Sequence, residues 1–207
     1  MLSVHTNYAS LVSQNSVTKN NDLLSNAMER LSTGLRINSA SDDAAGLQIA
    51  TRMNANVTGM ETASRNVNDA TSMLQTADGA LDELNNIATR QKELATQAAN
   101  GVNSAEDLKA LNAEFGELTK EITRIVSNTE YSGNKLFDSL KTGVDFQIGA
   151  GSTEKLNVKV TDTNIKAHDA KLDTAADASA AIDKINTYIN SVGTERSNLG
   201  ANINRLS

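Results

Sequence analysis

The chain has 207 residues and a net charge of −6, which argues against partners that need a basic face, namely nucleic acids and anionic membrane surfaces. It contains no apolar run of about 18 residues and no cysteine, so a membrane span, disulfides and thiolate chemistry are not expected. Aromatic residues are only 3% and proline is absent, which favours long helices packed through small and aliphatic side chains.

The first element predicted is an amphipathic helix over residues 2 to about 33. Apolar residues recur every three or four positions at both ends, whereas the middle segment, SQNSVTKNND, is polar. Such a helix is marginal alone, so its apolar stripe needs another chain or a further segment as partner. The apolar positions are Val4, Tyr8, Leu11, Val12, Leu24, Ala27, Met28 and Leu31.

The next stretch, LSTGLRINSASDDAAGLQIATRM at 31–53, interrupts the helical pattern. Gly34 and Gly46 are plausible helix-end residues. Asp42 or Asp43 can accept hydrogen bonds from the free N–H groups that open the following helix, and we favour this capping role over catalysis by an acid pair. The stretch therefore predicts a joint at which the first helix leaves the rest of the fold.

A long second helix is predicted by the most regular pattern in the chain. Its apolar positions alternate by three and four over five heptads, as in a coiled-coil seam, and only Gln91 breaks the pattern. A second row beside the seam lets the helix contact two partners. Asn100 and Gly101 end the helix. The seam is Met60, Ala63, Val67, Ala70, Leu74, Ala77, Leu81, Leu84, Ala88, Gln91, Ala95 and Ala98; the second row is Met73, Ala80, Ile87 and Leu94.

The remaining segments predict two more helices and a β-hairpin. Ser104 starts the third helix, with Asp107 completing a capping box, and NTEYSGNKLF closes it with turn residues. Alternating apolar residues over 144–160 predict the hairpin, and its GAGS segment lacks the third glycine and the helix start of a phosphate-binding loop. Residues 161–174 are expected to form a loop. The fourth helix is expected from Ala178 to the end, with Arg196 as its one polar interruption.

The predicted fold is mainly α: an elongated, antiparallel, coiled-coil-like helical bundle with a small β-hairpin at about 140–160 and a protruding N-terminal helix. No catalytic site, cofactor or metal site is expected. The two histidines, His5 and His168, are far apart, do not form an HExxH motif, and are most simply interpreted as surface residues.

Five motifs in this order resemble segments of bacterial flagellins, and the resemblance spans the whole chain. They are LSTGLRINSASDDAAGLQIATRM, ELATQAANG at 93–101, NTEYSGNKLF at 128–137, FQIGAG at 146–151 and RSNLGANINRL at 196–206.

The resemblance implies a two-layer organisation. Residues 1–46 resemble the inner-core helix and its connecting spoke, and residues 47–207 resemble the outer-core bundle with its hairpin. Flagellins usually carry variable outer domains between their conserved halves, and this chain resembles a short form that lacks them. The family's C-terminal inner-layer helix is also missing from this chain. The chain is therefore expected to be a fragment, or only part of the mature protein.

The function implied is that of a structural subunit, not an enzyme. The chain would polymerise with itself into the helical extracellular filament of the bacterial flagellum and serve motility. An export chaperone, the filament cap and hook-junction proteins are the further partners implied, and secretion through the family's export route would need no cleaved signal. Two alternatives stay open: a hook–filament junction protein, and a helical binding module that does not polymerise.

One recognition site also follows from the resemblance. Arg90, Leu94 and Glu114 match the positions at which an innate immune receptor reads some flagellins. Arginine would supply forked hydrogen bonds, leucine an apolar anchor and glutamate a charged partner. The alternative is that Arg90 and Glu114 are solvated surface residues and that Leu94 packs against a neighbouring helix or subunit.

Overall fold

The structure is a computed structural model that describes residues 7–207, so Val4 and His5 lie outside the described residues. The chain divides into two units, Met1–Thr58 and Gly59–Ser207, and the boundary falls inside one continuous helix. The elements in chain order are α1 (Tyr8–Thr33), α2 (Ala44–Ala98), α3 (Ala105–Asn128), β1 (Glu130–Tyr131), β2 (Asn134–Lys135), α4 (Leu136–Thr142), β3 (Val144–Gln147), β4 (Lys155–Val158), α5 (Asp162–Ile165) and α6 (Ala175–Leu206).

The first helix is confirmed, and both of its ends carry capping residues. Asn7 caps the start of α1 by accepting a hydrogen bond from the backbone N–H of Ser10. Gly34 ends it in the left-handed conformation, at φ 70°, and its N–H donates to the carbonyl of Arg30. A side chain is strained at that φ, which explains the choice of glycine there. Gly46, in contrast, lies inside the first turn of α2.

The heptad seam of α2 is confirmed from Ala63 onward. Nearly every seam position from there to Ala98 is buried, including the polar Gln91. Met60 differs, because 62% of it is exposed. The second row is mostly buried as well, with Met73, Ile87 and Leu94 in the core, so α2 contacts more than one neighbouring element.

Side-chain contacts define how the three long helices of the second unit run. Gln91 of α2 binds Thr119 of α3, whereas Asp69, earlier in α2, binds Tyr131 just after α3. Going backward along α2, from Gln91 to Asp69, the contacting residues move forward along the chain, from Thr119 to Tyr131. The two helices α2 and α3 are therefore antiparallel. His168, just before α6, binds Gln91 of α2, and Arg196 of α6 binds Asp78, so α6 also runs antiparallel to α2 and in the same direction as α3.

The core face of α6 differs from the sequence prediction. The helix begins at Ala175, capped by Thr174, rather than at Ala178. Tyr188 and Glu195 are buried in the core, and Ile182 and Ile189 are only partly buried beside it. The buried polar residue of this helix is therefore Glu195, and the prediction of Arg196 as its one polar interruption was wrong.

The β-hairpin is confirmed, and short elements flank it where turns and loops were expected. β3 pairs antiparallel with β4, with Phe146 opposite Leu156. NTEYSGNKLF contains the small β1–β2 ladder and leads into α4, which buries Leu136, Phe137 and Leu140. One helical turn, α5, lies within the expected loop.

His168 is half-buried rather than a solvated surface residue, which corrects the sequence interpretation. Its ring contacts those of Phe115 and Tyr188, with centroid distances of 5.7 Å and 5.6 Å. Its Nε2 lies 3.0 Å from the side-chain oxygen of Gln91. The segment that carries His168 is therefore packed onto the helices.

Candidate assembly surface and receptor patch

Most of the exposed large apolar side chains among residues 7–207 belong to the first unit. No residue of α1 is buried, although its apolar residues follow helical spacing. Leu31 is 85% exposed and Met28 is 63% exposed. We call this set the α1 surface: Tyr8, Leu11, Val12, Val17, Leu23, Leu24, Met28 and Leu31.

The first turns of α2, still within the first unit, carry a second group of exposed apolar residues. Leu47, Ile49, Met53 and Val57 all lie open to solvent. Groups of exposed apolar residues of this kind are typical of surfaces that other chains cover. The contrast with the second unit is sharp, since the same helix buries its apolar seam from Ala63 onward.

The joint between α1 and α2 is organised by its two aspartates. Asp42 accepts hydrogen bonds from the backbone N–H groups of Asn38 and Ser39, at 3.2 Å and 3.0 Å, and Arg30 lies 3.6 Å away. The Ser39 and Asn38 hydrogen bonds, with a smaller contribution from Arg30, lower the pKa of Asp42 below its usual value.

Asp43 caps α2 by accepting a 2.8 Å hydrogen bond from the N–H of Gly46. The predicted capping role therefore falls to Asp43, and Asp42 holds the turn before the helix.

Two of the three predicted receptor residues lie together on the surface. The guanidinium of Arg90 donates two hydrogen bonds to one carboxylate oxygen of Glu114, at 2.8 Å and 3.2 Å. Their side chains are 51% and 49% exposed. A second acid, Glu93, accepts at 2.9 Å from the same guanidinium. Glu93 was not among the predicted residues, although its spacing of three residues from Arg90 on a helix is a recognisable ion-pair signal.

The Glu114 hydrogen bonds, followed by that of Glu93, raise the pKa of Arg90. The guanidinium is therefore charged at any physiological pH, and its fork is already occupied by two carboxylates.

Leu94 does not share this surface. It is only 1% exposed and belongs to the core of the second unit. Its burial agrees with the alternative interpretation, in which Leu94 packs against neighbouring helices. An anchor role in receptor binding would require the core to open at this point.

Comparisons with known proteins identify relatives of this chain. The family model for the bacterial flagellin N-terminal helical region matches residues 4–142. A flagellin of Halalkalibacterium halodurans is 44% identical over 185 residues, which is 87% of this chain and 68% of that protein. Polar flagellin F of Vibrio parahaemolyticus is 45% identical over 159 residues, 77% of this chain and 42% of its own length.

A solved structure agrees with these relatives. The crystal structure of Bacillus cereus flagellin is 34% identical, with a TM-score of 0.63, and covers 69% of this chain and 85% of that chain. Among the described residues, 7–207, no helix is long and apolar enough to cross a membrane.

The helical fold and these matches define a structural protein rather than an enzyme. The second unit of the chain buries most of its large apolar residues, whereas the first unit exposes them to solvent. The chain belongs to the bacterial flagellin family. Flagellins self-assemble into the extracellular filament of the flagellum.

Proposed function

We propose that this chain is a filament subunit that polymerises through the α1 surface and the exposed apolar residues at the start of α2. Family membership supports self-assembly, and the chain spans about two fifths to two thirds of the length of the two curated relatives described above. The observation that carries the proposal is the complete exposure of the apolar residues of α1.

The free energy gained by burying apolar side chains favours polymerisation through the same surface. Covering one exposed leucine contributes roughly 2 kcal/mol, so several per copy make each contact favourable. When a patch on one copy meets a different patch on the next and the rotation between copies does not close a ring, a helical filament results. Repetition along the filament then makes even modest contacts sufficient.

Seeded pelleting tests this proposal directly. The complete gene product is mixed with preformed filament seeds and sedimented, beside its Leu24→Glu and Asn26→Glu variants. Both variants add one negative charge to exposed positions of α1, but Asn26, two residues further on, lies on the opposite side of the helix from Leu24 and outside the α1 surface. An uncompensated carboxylate in a dry contact costs several kcal/mol. The parent chain and Asn26→Glu should pellet, and Leu24→Glu should stay in solution.

The finer organisation follows as part of the same proposal. Residues 1–46 would form the inner-core helix and spoke, and residues 47–207 the outer-core bundle. The filament would be secreted and extracellular, and its further partners would be an export chaperone, the filament cap and hook-junction proteins. The flagellin motifs support these assignments; nothing in the fold favours a junction protein or a binding module that does not polymerise.

Recognition by an innate immune receptor is a second proposal, supported by the exposed Arg90–Glu114 pair. Arg90→Ala removes the exposed fork, and Arg124→Ala is a matched control because Arg124 is also exposed and pairs with an acid three residues away, Glu121. Receptor signalling should fall with Arg90→Ala and persist with Arg124→Ala. Full signalling by Arg90→Ala would remove Arg90 from the recognition site.

A further inference from the structure

A buried polar contact joins the α2 seam to the segment between the hairpin and α6. Gln91 is fully buried, and its side-chain oxygen lies 3.0 Å from Nε2 of His168. We call residues 161–174, which carry His168, the strap. The strap also buries Ile165 and Leu172 in the core. The contact between Gln91 and His168 spans 77 residues of sequence and ties the strap to the longest helix of the unit.

The hydrogen bonds of Gln91 determine which imidazole nitrogen carries the proton. The amide nitrogen of Gln91 already donates to the hydroxyl of Thr119 at 2.9 Å and approaches the carbonyl of Phe115 at 3.4 Å. Its oxygen is therefore the atom that faces His168, and an oxygen can only accept. Nε2 of His168 must donate, so the neutral ring carries its hydrogen on Nε2 and leaves Nδ1 as a bare acceptor.

Nδ1 is buried and finds no hydrogen-bond partner among residues 7–207. The rings of Phe115 and Tyr188 flank the imidazole, and the hydroxyl of Tyr188 is already committed to the carbonyl of Ile165 at 3.0 Å. A proton added to Nδ1 would thus create a positive charge and a new N–H donor with no acceptor. Burying a charge without a hydrogen-bond partner is costly.

The charged groups near the ring do not remove this cost. α2 and α3 present Gln91, Phe115 and Thr119, which are uncharged. α6 presents Asp183 and Lys184, which line a cavity that His168 also lines, and Lys184 is paired with Asp169 at 2.9 Å. A second cavity of about 590 Å³ that His168 lines carries three lysines and three aspartates: Lys135, Lys141, Lys166, Asp138, Asp162 and Asp169.

Burial is the main cause that lowers the pKa of His168 below its ordinary value. Asp169 acts in the opposite direction and raises it, and Lys184 lowers it further. The direction agrees with the geometry, because the neutral ring fits the site and the charged ring does not.

We propose that His168 is a pH-sensitive latch. Its neutral imidazole holds the strap against α2, α3 and α6, and protonation of Nδ1 by solvent in mild acid releases the strap while the long helices stay folded. The latch is a property of the folded second unit and does not depend on polymerisation.

The sign of the pH effect follows from linkage. When the strap is open, the imidazole is exposed and has an ordinary pKa near 6.5. The stability of the closed strap therefore begins to fall at about this pH. The closed strap binds the proton less tightly, so its extra stability is complete above that value and declines as the pH falls below it. At about pH 5.0 the ratio of closed to open strap can fall by up to roughly thirtyfold. This limit follows from the distance of about 1.5 pH units between the ordinary pKa and that pH.

The first test is a direct titration of the ring. NMR of the His5→Gln variant leaves His168 as the single imidazole of the chain. The latch requires a titration midpoint below the ordinary value of about 6.5. A midpoint at or above that value would overturn the proposal.

The second test is amide hydrogen exchange, corrected for intrinsic rates, at about pH 7.5 and about pH 5.0. Protection of the strap should fall at least threefold, and up to roughly thirtyfold, in the parent chain, while protection of α2 around Leu81 stays unchanged. In the His168→Gln variant, which keeps a hydrogen-bonding side chain but cannot titrate, strap protection should be the same at both pH values. An equal fall in both chains, no fall in either, or a parallel loss in α2 would refute the latch.

Discussion

The side-chain amide of Asn164 donates a 2.6 Å hydrogen bond to the carboxylate of Glu195, which is only 3% exposed on the core face of α6. This bond attaches the one-turn helix α5 to α6 and satisfies an acid that would otherwise be buried alone. Buried polar groups left without partners cost about 1–3 kcal/mol.

Asn164→Ala should therefore lower the free energy of unfolding by about 2 kcal/mol, measured by urea denaturation. Asn198→Ala, at an exposed position of α6, should change it by less than about 0.5 kcal/mol. In the Glu195→Gln background the effect of Asn164→Ala should shrink, because a neutral amide is less costly to leave unpaired. Equal effects of the Asn164 and Asn198 variants would show that the hydrogen bond carries no net stability.

Leu81 tests the seam of α2, since it lies at a fully buried position of the core. Leu81→Ala removes buried methyl groups and leaves a cavity, so we expect a loss of about 2–5 kcal/mol in the free energy of unfolding. Glu83→Ala, two residues away on the exposed side, should be nearly neutral. A small loss for Leu81→Ala would mean that the helices collapse around the site instead of being held at a fixed spacing.

Ser104 tests the capping box at the start of α3. Its hydroxyl accepts from the N–H of Asp107, and the Asp107 carboxylate accepts from the N–H of Ser104 in return. Ser104→Ala should cost about 1 kcal/mol, whereas Ser127→Ala, at an exposed position in the last turn, should be close to neutral.

The pH dependence of the capping box has a defined sign. The side-chain and backbone hydrogen bonds from Ser104 lower the pKa of Asp107 below 3.8. The stabilisation is complete above that value and is lost as the pH falls through the lowered pKa. The stability difference between the parent and Ser104→Ala chains should shrink in that acid range to the part supplied by the hydrogen bond from the Asp107 N–H to the Ser104 hydroxyl, and a constant difference would contradict the assignment.

Arg196 tests the electrostatic contact between α2 and α6. It binds Asp78 at 2.9 Å and Asp82 at 2.6 Å, two acids that lie one helical turn apart and repel each other without it. The three side chains are 33–52% exposed, so solvent screens the pairs. We expect Arg196→Ala to cost about 1 kcal/mol at low salt and less at about 1 M salt. Arg205→Ala, on the exposed end of α6, should cost less, and a cost for Arg196→Ala independent of salt would indicate packing instead of charge.

The long helices were predictable from the sequence because their signals repeat. The α2 seam is reinforced over five heptads, and the capping box at Ser104 marks the start of α3 locally. Among these helices, the buried face was predicted incorrectly for α6. Its two apolar rows are similar in strength, and the choice between them depends on which row meets Asn164 and the other helices.

The polar contacts could not be predicted in the same way. Gln91 was recognisable as a break in the seam, but its partner His168 lies 77 residues away, and only the folded strap brings the two together. The α4 helix has seven residues, too few for a periodic pattern to show. Arg90, Leu94 and Glu114 were grouped as one recognition site through the resemblance, whereas the burial of Leu94 depends on how closely the helices pack.

Thiol labelling tests the central claim, that copies of the chain cover the α1 surface, most directly. The chain has no cysteine, so Leu24→Cys introduces a single reactive group on that surface. In the unpolymerised complete gene product this thiol should react freely with a maleimide. In seeded, pelleted material its labelling rate should fall at least about tenfold and recover when the pellet is dissolved in urea, as expected for a buried contact. Equal labelling rates before and after pelleting would contradict the account.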